Sequence, residues 1–185
     1  MQSHRFGVLS IALVVLATMV FRPAQFQDAA DESIRIGVYD NRAIAIAYAS
    51  SRFNPVGEKM KEFEAARERG DEVTIRDLEA WGQAHQRQLH RQGFGRVPVA
   101  DLLEHVKEAL PELAARLDLD AIVFEVDHLA PGATEPEPAA PEVDITMDLG
   151  MLLDPPETAI RNAKEVVKHP AIDLDEIEQL NTKHR

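Results

Sequence analysis

The chain contains no cysteine. This absence excludes catalytic thiols, disulfides and zinc sites built from thiolates, and it is compatible with an oxidising compartment without requiring one. Aromatic residues make up only 5% of the chain, with a single tryptophan. Such a composition favours helices packed through alanine, leucine and isoleucine over a large ligand pocket.

Basic residues are also fewer than acidic residues. The chain has 20 lysines and arginines against 32 acidic residues, which gives a formal net charge of −12. Proteins that bind nucleic acid depend on cationic contacts to phosphate, and anionic lipid attracts basic segments in the same way. We therefore expect neither nucleic acid nor an anionic lipid surface as a partner.

Motifs of catalysis and cofactor binding are missing as well. Gly93, Phe94 and Gly95 lack the glycine and lysine that complete a phosphate loop, and no Gly-x-Ser-x-Gly nucleophile motif occurs. His85 and His90 lie five residues apart, whereas a metal pair on one helix face needs three or four. The sequence predicts a non-enzymatic protein without cofactor or metal, in which His85 is a packed histidine. An extracytoplasmic enzyme has no motif in its support.

The N-terminus resembles an export signal. His4 and Arg5 precede an apolar run over residues 6–21, as in a secretory signal peptide. No clear pair of small residues follows to mark a cleavage site, and the run is short of the roughly 20 residues that span a bilayer. Residues 1–30 are therefore either a cleaved signal peptide or an N-terminal membrane anchor with a spacer. In both cases the body lies outside the cytoplasm.

Three short segments are predicted to be strands. Residues 34–39, 121–126 and 142–145 are runs of β-branched and aromatic residues bounded by charged or turn residues. The segment 131–141 between the second and third strands is rich in proline and glutamate and predicts a solvated loop.

Helices are predicted between the first and second strands. Residues 41–51 alternate like a strand, but their alanine content and the capping residues Asp40 and Asn41 favour a helix. Residues 58–69 and 72–92 form two helical arms, because Gly70 suits a helix C-terminus and Asp71 the next N-cap.

Further helices are predicted towards the C-terminus. Residues 99–117 read as one helix in which Pro111 opens a new turn. Thr146 is the predicted N-cap of a helix over residues 147–153, and residues 157–168 form another. The tail, residues 171–185, is either a docking helix or disordered.

The arms carry a narrow apolar stripe. Its residues recur at spacings of three or four, as on one face of a helix: Met60, Phe63, Ala66, Ile75, Leu78, Trp81, His85 and Leu89. Charged helices with such a stripe pair in a coiled coil or hairpin. Trp81 then either packs against the neighbouring arm or anchors a partner.

The order of strand, helical arms and returning strands resembles the OmpH family of periplasmic chaperones. The resemblance covers residues 34–153, from a first strand ending in Ile36, Gly37, Val38, Tyr39 and Asp40 to the closing Asp144, Ile145 and Thr146. It implies an α+β fold: a small β-sheet body with a projecting α-helical hairpin over about 58–92, trimeric through the sheet. It also implies a periplasmic holdase that binds unfolded or outer-membrane proteins without ATP.

Under this hypothesis clients bind the inner faces of the arms. The residues expected to contact them are Met60, Phe63, Leu78 and Trp81. Residues 154–185 form an acidic helical extension beyond the family's usual end. The unclear cleavage site and this extension motivate an alternative, a membrane-anchored scaffolding protein of the cell envelope with no chaperone activity.

Overall fold

A computed structural model describes residues 34–124 and 141–183. These residues are mostly helical and include one small three-stranded sheet, so the α+β class predicted from the sequence is confirmed. The predictions for residues 1–30 and for residues 131–140 of the proline-rich loop lie outside the described residues. None of the described helices has the length and apolar content needed to cross a bilayer.

Most of the elements are helices, and the second and third strands come late in the chain. In chain order they are β1 (Ile36–Tyr39), α1 (Asn41–Ala49), α2 (Val56–Arg69), α3 (Glu72–Phe94), α4 (Ala100–Leu103), a 3₁₀ segment (Glu104–Ala109), α5 (Leu110–Leu117), β2 (Ala121–Phe124), β3 (Glu142–Asp144), α6 (Thr146–Met151), α7 (Glu157–Val166) and α8 (Leu174–Lys183).

The sheet is parallel and has β1 at its centre. The strand order is β2-β1-β3, and Val38 of β1 lies opposite Val123 of β2 and Asp144 of β3. Gly37 of the same strand permits a close approach. A Cβ atom there would lie 2.7 Å from Cδ1 of Leu119 and 2.9 Å from Cδ1 of Ile145. A side chain at this position would therefore require Leu119 and Ile145 to shift.

Helix α1 lies in the middle of the core. It packs against α3, α6 and α7, and Ile44, Ala45 and Tyr48 are buried within it. The Asp40 side chain caps the helix by accepting a 2.9 Å hydrogen bond from the Arg42 backbone N–H. Because neighbours cover nearly all sides of α1, apolar residues occur all round it and imitate strand alternation. The predicted helix is confirmed.

Helices α2 and α3 form a hairpin. Gly70 ends α2 in the left-handed conformation, with φ of 66°, and Asp71 begins α3 by accepting a 3.1 Å hydrogen bond from the backbone N–H of Thr74. The two helices are therefore joined by a tight turn and pack against each other. Their bounds lie within two residues of the predicted arms.

Glycine should stabilise the fold at the hairpin turn and destabilise it inside helix α3. We expect Gly70→Ala to lower the free energy of unfolding by about 1 kcal/mol, because an alanine in the left-handed conformation is strained. The matched control is Gly82→Ala in α3, where a Cβ would meet nothing within 4 Å. This change should instead stabilise by roughly 0.5–1 kcal/mol. Urea unfolding of both variants checks the opposite signs; equal effects would contradict the assignment.

Residues 99–117 are not one helix, and that prediction was wrong. They divide into α4, the 3₁₀ segment and α5. Pro111 stands in the first turn of α5, as predicted. Since proline has no N–H and its ring clashes with the carbonyl four residues earlier, the preceding turns cannot continue as an α-helix.

The predicted capping role of Thr146 was also wrong. Helix α6 begins at Thr146 itself and its N-cap position is Ile145. The Thr146 hydroxyl accepts a 3.0 Å hydrogen bond from the backbone N–H of Asp40, which ties β1 to the start of α6. A tertiary contact thus takes the oxygen that local capping would have used.

The tail docks on the body, which decides between the two predicted alternatives. Helix α8 packs against α3, and Ile177 is only 1% exposed. The Ile172 N–H also donates a 2.8 Å hydrogen bond to the Phe94 carbonyl. The extension is therefore a part of the folded unit rather than a separate arm.

A candidate binding groove between the first three helices

An open groove lies between α1, α2 and α3, with a volume of about 870 Å³. All four residues predicted to bind clients line it: Met60 and Phe63 from α2, and Leu78 and Trp81 from α3. They meet because the hairpin turn brings the apolar stripes of two consecutive helices face to face. The sequence prediction thus located residues that the fold does gather at one surface.

The groove is larger than the low aromatic content led us to expect. Much of its wall consists of residues other than aromatics, and α1 contributes Ala45, Ile46 and Ala49. Sequence reasoning missed this contribution because nothing in the chain signals that α1 packs against α3. Phe94 was missed for a simpler reason: helix α3 continues two residues past its predicted end.

The lining side chains differ in how accessible they are. Met60 is 51% exposed, whereas Phe63, Leu78 and Trp81 are half-buried. The guanidinium of Arg67 lies 5.9 Å from the centre of the Phe63 ring. The Phe63 ring is thus in contact with a neighbouring side chain and still contributes surface to the groove.

His85 is a packed histidine within the groove wall, as predicted. Its ring stacks on Trp81 with 4.9 Å between centroids, and its Nε2 donates to Oδ1 of Asn54 at 3.0 Å. Burial of the ring lowers the pKa of His85 below its ordinary value of 6.5, and the negative charge of Asp101 opposes this shift only in part. At neutral pH the groove therefore carries an uncharged imidazole.

The lowered pKa of His85 makes stability depend on pH. The unfolded chain takes up this proton near pH 6.5, and the folded chain does so only at lower pH. The stabilisation that comes from the neutral His85 ring is therefore fully present above pH 6.5. It is lost as the pH falls from 6.5 through the pKa of His85 in the folded protein. We expect the wild-type protein to lose more stability between pH 7.5 and 5 than the His85→Gln variant does. Urea unfolding at both pH values measures the difference; parallel curves would contradict the assignment.

The groove carries little net charge. Its charged lining residues include Lys59 and Glu79, and Lys59 already pairs with Glu62 at 2.9 Å. Helix α2 contains four acidic and four basic residues, and α3 contains three of each. The excess of acid in the chain thus lies outside the hairpin, so the groove neither attracts nor repels a client strongly by charge.

The chemistry of the groove is that of apolar contact. Gln83 and Gln86 add neutral polar groups at the α3 side. Across residues 34–124 and 141–183, no three histidine or carboxylate side chains come close enough to hold a metal ion. The arrangement is suited to burying apolar side chains of another molecule.

Comparison with protein-family models, with curated proteins and with solved structures finds no match to this chain.

Proposed function

We propose that the protein is an extracytoplasmic, ATP-independent holdase that binds apolar segments of unfolded or outer-membrane proteins. The observation that carries the proposal is the open apolar groove lined by Met60, Phe63, Leu78 and Trp81. The resemblance of strand order and helical arms to the OmpH family supports the same function, and so does the export-like N-terminus.

The groove would hold clients through their side chains. Its lining residues lie on helices α1 to α3 and the segment between α1 and α2, so it offers a client no strand edge for backbone pairing. Binding through apolar side chains alone depends little on the order of residues in the client. The flexible thioether of Met60 adapts to different shapes, while Phe63 and Trp81 supply large apolar area. This combination suits a binder of many sequences.

In the proposed assembly three copies join through their sheets, as in the OmpH family. The outer edges of β2 and β3 have no strand partner among the described residues, since both strands pair only with β1. Open edges of this kind invite pairing with another chain. A trimer would cover them and bring three grooves around a common centre.

Aggregation of an unfolded client tests the holdase function. A β-barrel membrane protein is diluted from denaturant into a stoichiometric amount of the full chain, without nucleotide, and light scattering is followed. We expect clear suppression, from protein whose sedimentation gives three times the 20.6 kDa monomer mass. No suppression by folded protein would overturn the proposal and favour the scaffolding alternative.

A further inference from the structure

A second crevice, distinct in residues from the groove, lies where β1 and β3 end. Its volume is about 530 Å³, and its walls include Val38, Asp40, Asp144 and Thr146. The strand order β2-β1-β3 reverses at β1. In open parallel sheets, ligands bind in the crevice outside the carboxyl ends of the strands at such a reversal. A crevice of this size is also within the range of small-molecule sites.

Charges of both signs line this crevice. The strands and the residue after β1 supply the carboxylates Asp40, Glu142 and Asp144. Helices α1 and α7 supply the cations Arg42 and Lys164, and the segment between α3 and α4 supplies Arg96. The lining thus carries three formal charges of each sign, the negative ones from the strands and Asp40 and the positive ones from residues outside the sheet.

Part of this charge is already balanced within the protein. The Arg42 guanidinium pairs with the Asp40 carboxylate at 2.5 Å. By contrast, neither Glu142 nor Lys164 forms an ion pair with any residue of the described segments, although both line the same crevice. One carboxylate on β3 and one ammonium group on α7 therefore line the crevice without pairing with each other.

The remaining lining is largely apolar. Val38 lies on the strand wall, Met147 is in the first turn of α6, and Val167 and Pro170 follow α7. A simple anion would meet three carboxylates here, and a simple cation would meet three basic groups. A ligand that carries both charges and an apolar group matches all three parts of the lining.

We propose that this crevice binds a free α-amino acid with an apolar side chain. Its ammonium group contacts Glu142 and Asp144, its carboxylate contacts Lys164, and its side chain lies among Val38, Met147 and Val167. This site is separate from the client groove and does not depend on the proposed holdase function.

Calorimetric titration of the full chain tests the site, with L-leucine, L-methionine and L-phenylalanine as probes. The end-blocked analogues N-acetyl-L-leucine and L-leucinamide test the two charged contacts. We expect at least one free amino acid to bind, and each blocked leucine to bind at least tenfold more weakly than L-leucine.

Two variants assign the contacts to their residues. Lys164→Gln should remove the preference for L-leucine over L-leucinamide while keeping the preference over N-acetyl-L-leucine, and Glu142→Gln should do the reverse. Both positions are exposed, so the fold should survive. Lys168→Gln is the matched control, since Lys168 pairs with Glu165 and does not line the crevice. No binding of any probe at millimolar concentration, or unchanged selectivity in both variants, would overturn the proposal.

Discussion

Replacing Phe63 and Trp81 together by serine is expected to abolish suppression of client aggregation. The two rings are the aromatic side chains that the α2–α3 stripe contributes to the groove, and their loss removes much of the apolar area on which binding depends. Truncation of an anchoring aromatic at an interface costs roughly 2 kcal/mol or more, so the pair should weaken client affinity about a hundredfold or more. Light scattering with a fixed client measures the change.

A matched variant separates loss of the groove from loss of the fold. Val73→Ser removes an apolar side chain of α3 that is 64% exposed and does not line the groove. We expect this control to suppress aggregation as the wild type does. Helix content and sedimentation must be unchanged in all three proteins. Full suppression by the Phe63 and Trp81 double variant would show that clients bind elsewhere.

The largest effect on stability is expected from Arg42→Met. The Arg42 side chain is 6% exposed, pairs with Asp40 through two nitrogens, and donates a 2.7 Å hydrogen bond to the His169 carbonyl. Removing the cation leaves the Asp40 carboxylate, itself 15% exposed, without its charged partner. Breaking a buried pair on one side costs about 3–5 kcal/mol. That is a large part of the roughly 5–15 kcal/mol by which domains are stable.

A double variant isolates the charge. Asp40→Asn with Arg42→Met removes both charges and keeps a side-chain oxygen to cap α1. We expect it to recover most of the stability lost in Arg42→Met, as judged by the midpoint of urea unfolding at unchanged slope. If both variants unfold at the same midpoint, the unpaired carboxylate is not the cause of the loss.

Local signals in the sequence account for most of the predicted elements. The hairpin follows from two residues, because Gly70 and Asp71 have the backbone and capping preferences that end one helix and begin the next. The three strands are short but dense in β-branched residues. The four predicted groove residues come from helical periodicity, which places them on one face of each arm whatever the rest of the fold does.

Features set by contacts far apart in the chain could not be predicted. The Thr146 hydroxyl has a local capping role available, yet it accepts from Asp40, 106 residues away. Helix α1 contributes part of the groove lining. Neither its sequence nor that of α3 contains a pattern that indicates that the two helices pack together. The docking of Ile177 depends on a recess that only the assembled helices create.

Photo-crosslinking from inside the groove shows whether clients bind there. A crosslinking amino acid is placed at Met60, which lines the groove and is half exposed, and in a second protein at Glu68, which lies on α2 but does not line it. Each protein is illuminated with an unfolded β-barrel client. We expect strong crosslinking from Met60 and little from Glu68. Equal crosslinking from both positions, or none from Met60, would contradict client binding in the groove.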